Sequence, residues 1–229
     1  ASGRTGAPLT LRGGRPREPD KEISLHRPTG PEKEELTMDN FFAYISRMKY
    51  ITRWALMRNT RQENICEHSY EVAVLAHGLA LLTNRRFGGR IDVGRCVLLA
   101  LYHDAPEIFT GDLPTPVKYF NPAIRDAYHQ VEAVSSRKLL SMLPEELREE
   151  YQPLLFPPKD WEAEAKIVKA ADKLSAMIKC VEECRQGNSE FIQARHATEE
   201  AIRKMRIPAA DLFLDEFLPS YELTLDEQE

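Results

Sequence analysis

The sequence predicts an all-α domain. From residue 38 onward, apolar residues recur at the three- and four-residue spacing of helices with one buried face. Gly and Pro signals close several of these stretches. No segment alternates polar and apolar residues over the length of a convincing strand, and no internal repeat is visible. With 229 residues, 42% of them hydrophobic and 29% charged, the chain has the size and composition of one globular domain with a substantial core.

Residues 1–37 stand apart. They hold five of the eleven glycines, five of the fifteen prolines and no aromatic residue. Such a segment buries too little apolar surface to offset its ordering entropy. It reads as a disordered leader or non-native extension ahead of Met38, with a native flexible arm as the alternative, and the domain proper as 38–229. Phe41, Phe42, Ile45 and Met48 then follow at helical spacing. A helix is predicted over 67–83 from Val72, Leu75, Ala76, Leu79 and Leu82, and a third over 91–109, ended by Gly111 and the Pro114 and Pro116 pair. A fourth spans 122–141, with a short helix after Pro144. A long one covers 161–186 and closes at Gly187-Asn188. Another runs over 189–206 to Pro208, and a last short one over 209–217.

Bulk properties exclude several functions. A net charge of −5 lacks the basic footprint of a general nucleic-acid binder, so no nucleic-acid polymer is expected as a partner. A small anionic substrate stays open, because a metal and a few cations neutralise a phosphate locally. No apolar run reaches membrane-spanning length and the N-terminus lacks an apolar signal core. The four cysteines (Cys66, Cys96, Cys180, Cys184) form no CxxC pair and read as free thiols. A cytoplasmic protein without a membrane partner is the expectation.

The chemistry centres on His103-Asp104, two strong ligands near the end of an apolar helix. A lone pair of this kind is weak evidence. Three features strengthen it. His68 opens the second apolar helix. Asp172 shares a helical stripe with Val168, Ala171, Ser175 and Ile178, which turns its carboxylate toward the core; a divalent cation or a buried Arg or Lys would satisfy it. Glu107 follows Asp104 by three residues and His103 by four, on the same side of the helix. Two imidazoles and two carboxylates suit Mn, Co, Fe, Zn or a similar ion, with room left for water and a substrate oxygen. Such an ion lowers the pKa of its water toward about 7. Glu107 is placed to orient or deprotonate that water, or to protonate a leaving oxygen.

The order His…His-Asp…Asp resembles the HD-domain superfamily of metal phosphohydrolases. Arg53-Trp54, the run Glu63–Ser69, the run Tyr102–Glu107 and the block Gly111–Phe120 are similar to the bacterial HD-domain 5′-deoxynucleotidases, over about 38–229. The resemblance implies a compact HD-domain helical bundle with its metal site in a central crevice, and a homodimer. It implies hydrolysis of deoxyribonucleoside 5′-monophosphates to deoxynucleoside and phosphate. His68, His103, Asp104 and Asp172 match the metal ligands, with one divalent ion per chain. Glu107 matches the catalytic acid/base. Arg53 and Trp54 match the pair that orients the phosphate and shapes the sugar site. Asp112, Leu113, Pro114 and Thr115 match the substrate-binding loop, and Asp104 also borders the substrate.

Residue chemistry is compatible with these roles. Arg grips phosphate oxygens bidentately; the alternative for Arg53 is a surface cation. A rigid Trp54 beside the sugar leaves no space for a 2′-hydroxyl; the alternative is a core or interface aromatic. Asp112 accepts a sugar hydroxyl or caps a turn after Gly111. Lys118 adds charge near the phosphate or is simply exposed. His77 reads as a core or supporting histidine, and His129 and His196 as surface residues. Two other readings stay open: an HD phosphohydrolase acting on another nucleotide or phosphate ester, and a nucleotide-sensing protein that keeps the fold without turnover.

Overall fold

The computed structural model describes residues 39–118 and 120–228 and, of Thr115, the backbone alone. The expectation for residues 1–37 lies outside the described residues. Ten α-helices are described: α1 (Phe41–Ile45), α2 (Ile65–Arg86), α3 (Val93–Tyr102), α4 (Glu107–Thr110), α5 (Thr115–Lys118), α6 (Pro122–Ser141), α7 (Glu145–Leu155), α8 (Glu162–Arg185), α9 (Ile192–Lys204) and α10 (Pro208–Leu212). The rest is 3-10 and π turns and loops. Among the described residues the only β feature is an isolated bridge between Thr52 and Asn64. The all-α prediction holds, and none of the described helices is long and apolar enough to cross a membrane.

Local chemistry sets the helix ends. Asn64 Oδ1 accepts from the N–H groups of Cys66 and Glu67, both at 3.0 Å, and starts α2. Asp92 does the same for α3, and Asn121 for α6 with Pro122 in its first turn. Gly187 stops α8 with φ 82°, a left-handed conformation that favours glycine. Its N–H donates to Cys184 O at 2.9 Å and Asn188 N–H to Glu183 O at 3.0 Å, the C-cap expected from Gly187-Asn188.

Helices α2, α3 and α8 pack on one another around the larger core. The predicted α2 stripe, Val72, Leu75, Ala76 and Leu79, is buried there against Leu99 and Ala100 of α3 and Ala171, Leu174 and Ile178 of α8. Each fully buried Leu or Ile contributes about 1.5–3 kcal/mol. A smaller core of Phe41, Ala105, Leu139, Leu143 and Leu155 gathers α1, α6 and α7. Leu99 and Ala100 belong to the first core and Ala105 to the second, so His103-Asp104 lies where the two meet.

The single helix expected over 91–109 is two helices. Residues 103–106 form a turn between α3 and α4. Pro106 has no N–H to donate to Tyr102, whose carbonyl accepts from Ala105 N at 3.1 Å instead. Proline also disfavours the helical region for the residue before it. The apolar run through Ile108 and Phe109 masked this break in the sequence. Phe42, counted on the buried face of the first helix, is 57% exposed, because Phe41 takes that face and successive helical residues diverge by about 100°. His77 is exposed rather than in the core. Nine residues at 100° each place it opposite the face of His68.

Candidate active site

Three elements converge on a cluster of ligating atoms. His68 comes from the first turn of α2, His103 and Asp104 from the end of α3 and the turn after it, and Asp172 from the middle of α8. Ligand atoms of His68, His103 and Asp104 all lie within 4.8 Å of one another. Asp172 lies outside that trio but adjoins it, with Oδ1 3.4 Å from His68 Nε2. The Asp104 Oδ2 atom is 3.4 Å from His68 Nε2 and 3.2 Å from His103 Nε2. Asp172 Oδ2 accepts from Lys169 at 2.9 Å, an exposed lysine rather than the buried cation of the alternative reading, while Oδ1 faces the cluster.

The protonation pattern suits a cation. Ser175 Oγ donates to Glu71 Oε2 at 2.5 Å. Its single proton is thereby committed, so His68 Nδ1–H must donate to Ser175 Oγ, 2.9 Å away. His103 Nδ1 donates to Ala100 O at 2.7 Å. Each imidazole therefore turns Nε2 toward the cluster, where a metal or, on His103, a proton can occupy it, and both Nε2 atoms are buried without a hydrogen-bond partner. Buried, orphaned ring nitrogens of this kind are costly, and metal ligation with the opposite nitrogen tied down is a standard resolution. The donor set fits a divalent ion.

Electrostatics agree. Burial and then the Arg53 charge lower the His68 pKa, keeping the ring neutral as a ligand must be. Burial works against a charge on His103 as well, but Asp104 and Asp172 outweigh it and raise its pKa. Asp104, despite its burial, is held down to about 2 by His103 and His68. This spot favours positive charge, whether a proton or a metal carries it.

Glu107 lies one turn beyond, buried at 6% exposure, with Oε2 lacking a partner. Burial, followed by the carboxylates of Asp104 and Asp112, pushes its carboxyl up to about 9. This environment favours its protonated form at neutral pH.

The Arg53-Trp54 pair sits on the loop before α2. Arg53 N–H donates to Glu63 O at 2.9 Å and Ile65 N–H to Ile51 O at 2.9 Å, which fixes the register of the loop. Arg53 is half-buried rather than a surface cation. Its Nη1 meets Glu63 Oε1 at 2.8 Å, and Trp54 Nε1 donates to Glu63 Oε2 at 3.1 Å. Trp54 is half-buried and packs on Phe191, with ring centroids 5.3 Å apart. Its φ is 60°, a left-handed conformation strained for such a residue. Met57 N–H and Asn59 Nδ2 secure its carbonyl at 3.0 and 3.3 Å, and its own N–H donates to Asp112. Asp112 thus braces Trp54 rather than capping a helix. Burial and then nearby Asp104, against the pull of Arg53, leave its pKa raised. Leu113 and Pro114 are half-buried in the same loop, and the Pro114 carbonyl accepts from Val117 and Lys118, starting α5. The Thr115 side chain, part of the expected substrate loop, lies outside the described residues. Lys118 is half-buried, bound to Glu132 at 3.0 Å and set over the Tyr128 ring, so the expected exposure does not hold.

Supporting residues were not singled out by sequence. Glu63 and Glu71 look like ordinary charged residues until the fold reveals their partners. Glu183, 1% exposed, accepts from Thr60 N, Thr60 Oγ1, Asn188 Nδ2 and Lys179 Nζ. Lys179 also donates to Arg61 O. This network ties the loop that bears Arg53 and Trp54 to the end of α8. A polar residue on an otherwise buried helical face, as at Lys179 and Glu183, was the available signal.

Comparison with known proteins supplies a context for this geometry. The profile of a family described as 5′-deoxynucleotidase YfbR-like matches residues 40–221. A Vibrio vulnificus protein named as a 5′-deoxynucleotidase is 50% identical over 188 residues, covering 82% of this chain and 97% of that protein. A Klebsiella pneumoniae 5′-deoxynucleotidase is 48% identical over 192 residues, 84% of this chain and 96% of its own. Among solved structures, an HD-domain phosphohydrolase from Listeria innocua superposes with a TM-score of 0.71 at 26% identity, over 82% of this chain and 91% of that one.

Proposed function

The chain belongs to the 5′-deoxynucleotidase YfbR-like family, and on that premise we propose how its residues divide the work of hydrolysis. The fold is that of the HD-domain phosphohydrolases, and the protein is a 5′-deoxynucleotidase, a phosphoric monoester hydrolase. Its substrates on this reading are deoxyribonucleoside 5′-monophosphates, and its products the deoxynucleoside and phosphate. The observation that carries the reading is the pair of buried, partnerless Nε2 atoms of His68 and His103, facing Asp104 with the buried Glu107 carboxyl one turn away.

His68, His103, Asp104 and Asp172 would hold one divalent ion. When bound, such an ion supplies Lewis-acid polarisation of the phosphoryl group and neutralises its charge. Arg53 grips and orients the phosphate through the guanidinium edge that Glu63 leaves open. Trp54, held rigid by its loop, occupies the space a 2′-hydroxyl would need. Asp112, with Leu113, Pro114 and Thr115 beside it, lines the sugar side. As a water oxygen bonds to phosphorus and the bond to the 5′-oxygen breaks, Glu107 gives that leaving oxygen its proton and the water's proton passes to solvent, so Glu107 works as a general acid. The same proposal includes a cytoplasmic homodimer.

Phosphate release from paired deoxy- and ribonucleoside monophosphates, with Mn, Co, Zn or Fe restored to chelated protein, tests this reading. It expects no release without metal and a strong preference for dAMP over AMP. Equal rates on the two would remove the role given to Trp54.

A further inference from the structure

We infer that Glu63 is a positioning residue that sets the phosphate grip and the sugar reader together. The inference rests on the roles proposed above for Arg53 and Trp54. Each oxygen of one carboxylate serves a different neighbour: Oε1 takes Arg53 Nη1 at 2.8 Å and Oε2 takes the Trp54 indole N–H at 3.1 Å. The Glu63 side chain is 14% exposed and that of Arg53 11%. At that depth a charge-assisted hydrogen bond is weakly screened and directional. Glu63 itself has little freedom. Its carbonyl holds Arg53 N, the bridge between Thr52 and Asn64 adjoins it, and Asn64 begins α2.

Trp54 and Arg53 are adjacent in sequence, yet their side chains would not share an orientation by default. Trp54 takes a left-handed backbone conformation, and the guanidinium carbon comes 5.8 Å from its indole ring. Glu63 closes the arrangement as a clamp. Oε1 also lies 3.6 Å from His68 Nδ1, so the clamp abuts the proposed ion site. Substrate would therefore meet an arginine and a tryptophan already oriented to each other, and the phosphate-to-sugar distance becomes a fixed dimension of the pocket.

Two substitutions separate positioning from charge in the metal-loaded enzyme. Glu63→Asp keeps the charge but is one methylene too short to reach both partners. Glu63→Gln keeps the length but offers one acceptor to two donors. Both variants are expected to narrow the dAMP:AMP preference in kcat/KM by about tenfold, the scale of one lost charge-assisted hydrogen bond. In a Trp161→Phe background, both are expected to shift the emission of Trp54. Inhibition by inorganic phosphate discriminates further. Loss of a negative charge alone would strengthen it in Glu63→Gln, whereas a misaligned Arg53 weakens it. An unchanged preference in both variants, with Trp54→Ala abolishing it, overturns the inference and leaves the Trp54 role intact. If Trp54→Ala leaves the preference unchanged, the sugar-reading role fails; Trp54 emission and phosphate inhibition then decide the clamp, and no change in either rejects it.

Discussion

His68 and His103 face each other with ring centroids 5.2 Å apart, each with Nδ1 committed and Nε2 free of any hydrogen bond. The two rings come from opposite ends of consecutive helices, yet both are fixed in the same tautomer by the acceptor on their far side.

That tautomer depends on Ser175. Ser175→Ala removes the acceptor for His68 Nδ1 and frees the ring to turn or to protonate the wrong nitrogen. Divalent-ion affinity is expected to fall about 10- to 100-fold, the usual scale for losing a ligand's supporting hydrogen bond. Isothermal titration of chelated protein measures it, and an unchanged affinity would mean the ring is held by packing alone.

Glu107→Gln is expected to separate activity from stability. Phosphate release falls at least about 100-fold if the residue is the acid. Stability of chelated protein rises. The carboxyl titrates near 4.5 when exposed and at about 9 when folded, so the folded state holds a proton the unfolded one has lost at neutral pH. This contribution is full below 4.5 and fades as pH rises toward 9, a difference on the order of 3 kcal/mol at pH 7. Glutamine escapes it. Thermal melts of both proteins from pH 5 to 8 should diverge with rising pH; parallel curves would refute the raised pKa.

The same proton predicts an alkaline limb. Activity that needs protonated Glu107 holds below its pKa and declines as pH passes through it. The limb lies at about 9 or lower, since a bound cation adds to the lowering influence of Lys118 and Arg53. A kcat/KM profile across pH 6–10 checks this, and a flat profile excludes the acid role.

Arg53→Lys keeps one charge but loses the planar fork that reaches Glu63 and phosphate at once. kcat/KM for dAMP is expected to drop about tenfold or more. Steady-state kinetics reveal it, and near-native values would show that a point charge suffices.

Glu183→Ala leaves Lys179 buried without its carboxylate and cuts Thr60 and Asn188 loose. A loss of about 3–5 kcal/mol is expected in urea unfolding. A loss under 1 kcal/mol would mean water takes over the network.

Most of the fold was legible because the buried stripes of α2 and α8 follow the helical period, and Gly187 marks the end of α8. The break at Pro106 was hidden by apolar residues on both sides of it. His68, His103, Asp104 and Glu107 were legible because strong ligands on apolar faces are conspicuous. Glu63, Glu71 and Glu183 were not. Glu63 and Glu71 work through partners at least nine residues away in sequence, which no local pattern records, and Glu183 reaches Thr60 as well as its helical neighbour Lys179.

The residues that α8 lends to the site repeat at its own pitch: Asp172, Ser175, Lys179 and Glu183. Eleven residues make about three turns, roughly 16 Å along the axis with the ends nearly in line. One helix thus acts as a gauge bar, carrying an ion ligand at one mark and the anchor of the Arg53–Trp54 loop at another. Inserting or deleting a single residue between those marks would turn one end by about 100° against the other. The length of that span of α8 is therefore as constrained as the residues it buries.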